Sequence, residues 1–185
     1  MQPGKITSDS IRNCGHSLLG MMDKLTQQVD WSRLSEFSEL ILEAKRVFVT
    51  GAGRSGLVAR MFAMRLMHAG LAAYVTGDTT TPAAGSGDLL VAVSCTGATG
   101  YTGYLAKRAR ELGATTVVIT SEPKSELTTD ADLIVTIPPT EGDIVLRASV
   151  FEHTASLCLE SVFNVLSDHI KLDLSEFQSR HANLE

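Results

Sequence analysis

Two short turns carry the residues whose types and spacing suit chemistry. Gly51-Ala-Gly-Arg-Ser-Gly56 follows an apolar, β-branched run and precedes a helical pattern. Such a strand–turn–helix junction leaves backbone N–H groups unpaired and places the positive end of a helix dipole at one point, where anions bind. Ser94-Cys-Thr-Gly-Ala-Thr99 repeats the arrangement and sets three hydroxyls at i, i+2 and i+5. Ser94 closes a strand, Thr96 and Gly97 make the turn, and Thr99 opens a helix. Hydroxyls so placed converge with turn amides on one tetrahedral anion. Taken alone, the second turn is explained equally well by Thr96 or Thr99 capping a helix. Taken together, the two turns favour a phosphorylated small molecule.

The first turn also matches GxGxxG, and Asp78 follows the next strand about where a ribose-binding acid would fall. Two features weigh against a dinucleotide. That ligand has no use for a second hydroxylated turn, and Arg54-Ser55 occupies positions that fold usually gives to small residues. Glycines that merely permit a tight bend account for Gly51 but leave Arg54 and Ser55 unexplained.

The elements that must position these turns follow from periodicity. Ile11, Cys14, Leu18, Met21, Met22, Leu25 and Val29 recur at helical spacing and predict one amphipathic helix over about 5–28. Leu34, Phe37, Leu40 and Ile41 predict a second helix. From Arg46 the rhythm changes to short apolar runs, with strands expected at 47–50, 72–76, 89–94, 115–120 and 133–137. Helical stretches lie between them near 56–69, 99–112 and 125–130. Continuously apolar strands belong to a parallel sheet covered on both faces, so the fold class is α/β, a doubly wound five-stranded sheet with extra N-terminal helices. Pro138-Pro-Thr-Glu-Gly142 ends the last strand, and a helix over about 148–169 and a short one near 173–179 follow. The expected organisation is one domain over 1–185: helices over 1–45, a βα core over 46–140, and C-terminal helices and tail over 141–185.

Composition narrows the partners. Sixteen basic against twenty-one acidic residues give a formal net charge of −5, which argues against nucleic acid. No apolar run approaches the roughly 20 residues of a membrane span, and the first residues lack the core of a signal peptide. Cys14, Cys95 and Cys158 form no ligand pattern and read as reduced thiols of a cytoplasmic protein. Cys95 sits near a helix start, a setting that lowers a thiol pKa. His16, His68, His153 and His169 have no metal-ligand spacing and read as ordinary. Neither a metal nor another cofactor is expected.

The two turns together resemble the SIS (sugar isomerase) family of phosphosugar-binding domains, whose usual patterns are GxGxS and S-x-S-G-x-T. The similarity narrows to the 6-phospho-3-hexuloisomerases through 51–70, Gly77-Asp-Thr-Thr-Thr-Pro82, Gly87-Asp-Leu-Leu90, Phe151-Glu152 and the terminal Arg180-His-Ala-Asn-Leu-Glu185. The chain departs from that pattern at Ala98, where many relatives carry an acid, and at Leu146-Arg-Ala-Ser149. The resemblance implies a flavodoxin-like three-layer sandwich and interconversion of D-arabino-hex-3-ulose 6-phosphate with D-fructose 6-phosphate through an enediolate. It implies phosphate binding by Ser94, Cys95, Thr96, Gly97 and Thr99, and sugar contacts from Gly53, Arg54 and Ser55.

It also implies that Glu152 is the base and that His181 shuttles a proton or binds substrate, reaching a neighbouring subunit's site. Read from residues alone, Glu152 is an acid favoured near a helix N-terminus, and His181 lies in a polar tail. Relatives form tetramers, and the surplus apolar residues of the first helix and of 56–69 point the same way. The alternatives are a non-catalytic phosphosugar-binding regulatory module and an isomerase for another sugar phosphate.

Overall fold

The computed structural model describes residues 6–184; the expected helix start at residue 5 and the terminal Glu185 lie outside them. Five strands form one parallel sheet: β1 (Val47–Gly51), β2 (Ala73–Val75), β3 (Leu89–Val93), β4 (Thr115–Thr120) and β5 (Leu133–Thr136). Their spatial order is β2-β1-β3-β4-β5. The helices are α1 (Ser8–Thr26), α2 (Trp31–Glu43), α3 (Gly53–His68), α4 (Gly100–Glu111), α5 (Ile144–His169) and α6 (Leu174–Ser179), with a 3-10 turn at Glu126–Thr128. The α/β class and the five parallel strands agree with the pattern expected from the sequence.

Alternation along the strands divides the core. Val47, Val49, Val91, Val93, Val117 and Ile119 face the larger cluster, which α2, α3 and α5 complete. Phe48, Leu90, Ala92 and Val118 face the smaller one, covered by Ala106 and Ala109 of α4 and by Leu127. The central strands are buried on both sides, and that explains their unbroken apolar runs. Arg46 at the foot of β1 reaches Asp88 at the foot of β3 with two contacts of 2.9 and 2.6 Å, and Asp88 is 1 % exposed. Gly85 N–H donates to the same carboxylate, so the buried charge is paired and bonded.

Three boundaries differ from expectation for identifiable reasons. Helix α3 starts at Gly53 rather than near 56, because Ala52 takes the extended N-cap conformation directly after the strand. Arg54 and Ser55 therefore lie on a first helical turn, not in a loop. Helix α5 starts at Ile144 rather than 148, because the Asp143 side chain accepts from Leu146 N–H at 2.9 Å and caps it. Helix α1 starts at Ser8 behind a Thr7/Ser10 capping box. Its apolar stripe is only half used: Leu25 is buried, Leu18, Met21 and Met22 pack partly, and Ile11 and Cys14 are exposed.

Candidate active site

The strand order reverses between β1 and β3: β1 leads outward to β2 and β3 leads the other way to β4. In an open parallel sheet the crevice at that switch point, beyond the strands' carboxyl ends, is where ligands bind. Both chemistry-bearing turns leave the sheet there. Gly51 pairs with Val93 in the β1–β3 ladder, so the first turn begins beside the residue that precedes Ser94. The approach is close: a Cβ at Gly51 would lie 2.9 Å from the Val93 carbonyl, and one at Gly56 would lie 2.6 Å from the Gly51 carbonyl. Only hydrogen at those positions allows α3 to start against the strand.

Neither helix that begins at the switch point is capped by a side chain. Ala52 precedes α3 with no cap bond, and Thr99 precedes α4 with an extended backbone and no cap bond. The first-turn amides of both helices thus stay available to an anion. The capping explanation for Thr99 accordingly fails. Thr96 Oγ1 accepts from Ala98 N–H at 3.3 Å, and Ser94 Oγ accepts from Gly97 N–H at 3.2 Å. These bonds brace the turn internally and leave both hydroxyl protons free to donate. Gly97 has φ +61°, and a Cβ there would overlap the Ser125 side chain, so this turn also requires glycine.

Ser55 is buried at 8 % exposure on the first turn of α3, beside the exposed Gly53 and Arg54. Arg54 Nε lies 2.7 Å from Glu152 Oε2, and its terminal nitrogen donates to Ser149 Oγ at 3.3 Å. Glu152 is 7 % exposed, and Oε2 has no aligned hydrogen bond despite the short contact with Arg54. The carboxylate is therefore held by charge and remains an unsaturated acceptor. It lies eight residues inside α5, beyond the reach of the first-turn dipole, so an N-terminal dipole role does not explain it. The Glu152 charge disfavours the Cys95 thiolate, as that of Glu122 does, and Arg147 acts the other way.

Cys95 departs from expectation. Burial pushes its thiol up from the ordinary value, and the Ser121 hydrogen bond offsets this only in part. Helix α4 starts five positions later, at Gly100, so its dipole does not compensate. Thr120 and Ser121, at the end of the adjacent strand, were missed by sequence reasoning. Ser121 N–H and Thr120 Oγ1 both donate to the Cys95 carbonyl, at 3.0 and 3.3 Å, and so support the turn from behind. Their position at the carboxyl end of β4 was the available signal. Ser149 was also missed, since it lies 95 positions from Arg54 and only the fold brings the two together.

His181 is not with the others in its own chain. It lies against the far end of α3, on His68, roughly 22 Å along the helix axis from Gly53. Among the described residues no group of three His, Cys, Asp or Glu side chains is arranged to hold a metal ion. The apolar groove between α2 and α5, about 270 Å³ and lined by Trp31, Leu34 and Val165, contains none of the chemistry-bearing side chains.

An all-parallel sheet with two uncapped helix starts at its switch point, and a buried carboxylate paired with Arg54 on the first of them, defines an α/β domain whose free amides suit a small anion. Residues 40–165 match the model of the SIS domain, and the chain belongs to that family. It is 40 % identical over 188 residues to a Mycobacterium gastri protein named 3-hexulose-6-phosphate isomerase, covering 98 % of this chain and 94 % of that one. A Bacillus subtilis protein of the same name is 35 % identical, covering 81 % of this chain and 85 % of its own. A Methanococcus jannaschii protein, whose crystal structure is described as inferring 3-hexulose-6-phosphate isomerase function, superposes with a TM-score of 0.82 at 31 % identity. That match covers 96 % of this chain and 99 % of the other.

Proposed function

We propose that the chain is a sugar-phosphate isomerase that interconverts D-arabino-hex-3-ulose 6-phosphate and D-fructose 6-phosphate. The observation that carries this reading is the buried Glu152 carboxylate, one Arg54 contact away from the first turn and within electrostatic reach of the second. The identity to relatives bearing that enzyme's name supports the choice of substrate.

The phosphoryl group docks on Ser94, Thr96 and Thr99 and on the amides near Cys95 and Gly97, and Gly53, Arg54 and Ser55 receive the open-chain sugar. Glu152 removes the proton from C2, and electrons flow toward the C3 carbonyl to give a 2,3-enediolate. Arg54 supplies positive charge where that oxyanion develops. Return of the proton to C3, with the O2 hydroxyl proton passing to O3, leaves the carbonyl at C2 and a hydroxyl at C3. His181 of a second copy serves as the proton shuttle, since its own chain holds it at the opposite end of α3. No cofactor enters this route.

The copies are arranged as a homotetramer working in the cytoplasm, within a ribulose monophosphate pathway. Support for assembly comes from the open apolar side chains of α1, α3 and α5: Ile11, Leu19, Leu57, Met61, Met64 and Leu157 are each 44–64 % exposed. Light scattering is expected to give four times the chain mass of 19.8 kDa.

The test is a coupled assay in which fructose 6-phosphate formed from 3-hexulose 6-phosphate is converted to glucose 6-phosphate and oxidised with NADP. Steady turnover with this substrate, and none with pentose or aminosugar phosphates, is the expected result. Tight binding without turnover would instead make the chain a phosphosugar-binding regulatory module.

A further inference from the structure

We propose that His68 is a positioning residue for His181, a flat floor at the base of α3 that fixes the shuttle ring's direction. This rests on the role assigned to His181 above. The two imidazoles stack with centroids 3.9 Å apart and planes 21° from parallel. Phe177 closes the group edge-on, 5.3 Å from His68 and 5.2 Å from His181. His181 Nδ1 lies 3.1 Å from the Phe177 carbonyl. A carbonyl only accepts, so Nδ1 carries the proton, and in the neutral ring Nε2 keeps the lone pair that proton transfer needs.

His68 is 4 % exposed, and its Nδ1 has no hydrogen-bond partner. An unpaired buried imidazole nitrogen is an unusual surface to leave beneath a tail, and simple packing would be better served by leucine. What histidine adds is a flat polar ring that stays uncharged. Burial, then His181 and Arg65, hold its pKa below 6.5. The surrounding charges are paired off. Arg65 of α3 bonds Glu160 of α5 at 2.8 Å, and Arg180 bonds Glu176 of α6 at 2.6 Å. Arg180 also donates to the His68 carbonyl at 3.1 Å, which ties the tail to the end of α3 just before His181. His181 is thus held over a ring that stays neutral, with the nearby guanidinium groups of Arg65 and Arg180 each paired to a carboxylate.

The decisive experiment compares kcat and KM for H68A, H68F, H181A and the H68A/H181A double variant, with melting curves and assembled mass as folding controls. H68A is expected to lower kcat at least tenfold with KM within about twofold, because the phosphate turns lie at the other end of α3. H68F, which keeps a flat ring, should recover most of that loss. The double variant should be no slower than H181A, since a floor without its shuttle has nothing to orient. Independent losses that multiply in the double variant, or an H68A enzyme with undiminished kcat beside a slow H181A, would overturn the inference and leave the isomerase reading intact. An H181A enzyme of full activity would remove the shuttle role itself and, with it, the inference. Should H68A fail to assemble, H68N carries the same comparison.

Discussion

Replacing Glu152 with glutamine is the sharpest available perturbation, because it removes a charge and a base while keeping shape. The structure separates the consequences for stability from those for catalysis. Glu152 is buried, but its partner Arg54 has a side chain 54 % exposed, so water can take over the guanidinium once the carboxylate is gone. The ion pair is then worth at most about 1 kcal/mol, and for a chain this size the melting temperature should fall by no more than about 4 °C. Oε2 makes no aligned hydrogen bond, so the amide nitrogen that replaces an oxygen breaks none there. A positioned general base contributes roughly 10²- to 10⁴-fold, equal to about 3–5 kcal/mol of barrier. The expected result of E152Q is therefore a kcat lowered by two to four decades, with the affinity for fructose 6-phosphate, measured calorimetrically, within about threefold of the unaltered protein. A kcat loss below tenfold would refute the reasoning. So would a fall in affinity as large as the fall in kcat, which would make Glu152 a ligand rather than a base.

Three further outcomes follow from particular contacts. Thr99→Ala removes a hydroxyl that makes no cap bond, and loss of a bond to a charged group costs about 1.5–3 kcal/mol. Steady-state kinetics should show KM raised roughly ten- to hundredfold, with kcat little changed. Asp88→Asn breaks the buried pair with Arg46 and should cost about 1–3 kcal/mol at neutral pH by urea titration. Burial alone would raise the Asp88 carboxyl, but Arg46 and the Gly85 amide outweigh it and hold the group below 3.8. The pair's stabilisation is therefore present above that value and lost as pH falls through the lower folded one, so melting curves of D88N should be flatter than the unaltered protein's below about pH 4. Cys95 should alkylate with iodoacetamide at pH 7.5 more slowly than free cysteine, because burial raises its thiol. Peptide mass mapping over time would show this, and modification at the rate of free cysteine would contradict it.

Much of the frame was legible in the residues. The strand Thr115–Thr120 is bounded as its β-branched run suggests, and the two turns fall at the ends of adjacent strands. What escaped was what local pattern does not encode. Asp143 follows a proline and glycine cluster and looks like more loop, yet its side chain starts α5 four residues earlier and moves Glu152 away from the helix end. The Arg54–Glu152 contact joins residues far apart in sequence, and only the packing of α3 against α5 creates it. His68 looked ordinary because its significance depends on where a tail more than a hundred positions later comes to rest.

The pairing of Gly51 with Val93 has a consequence for how such a domain can change over generations. The span between the two turns is measured out by backbone ladder bonds in the middle of the sheet, not by the side chains of the turns themselves. Residues such as Ala98 at the exposed tip can be exchanged without stretching that span, whereas a slip of one rung would turn every strand residue to the opposite face. The rim can therefore drift while the spacing of the two turns is inherited unaltered.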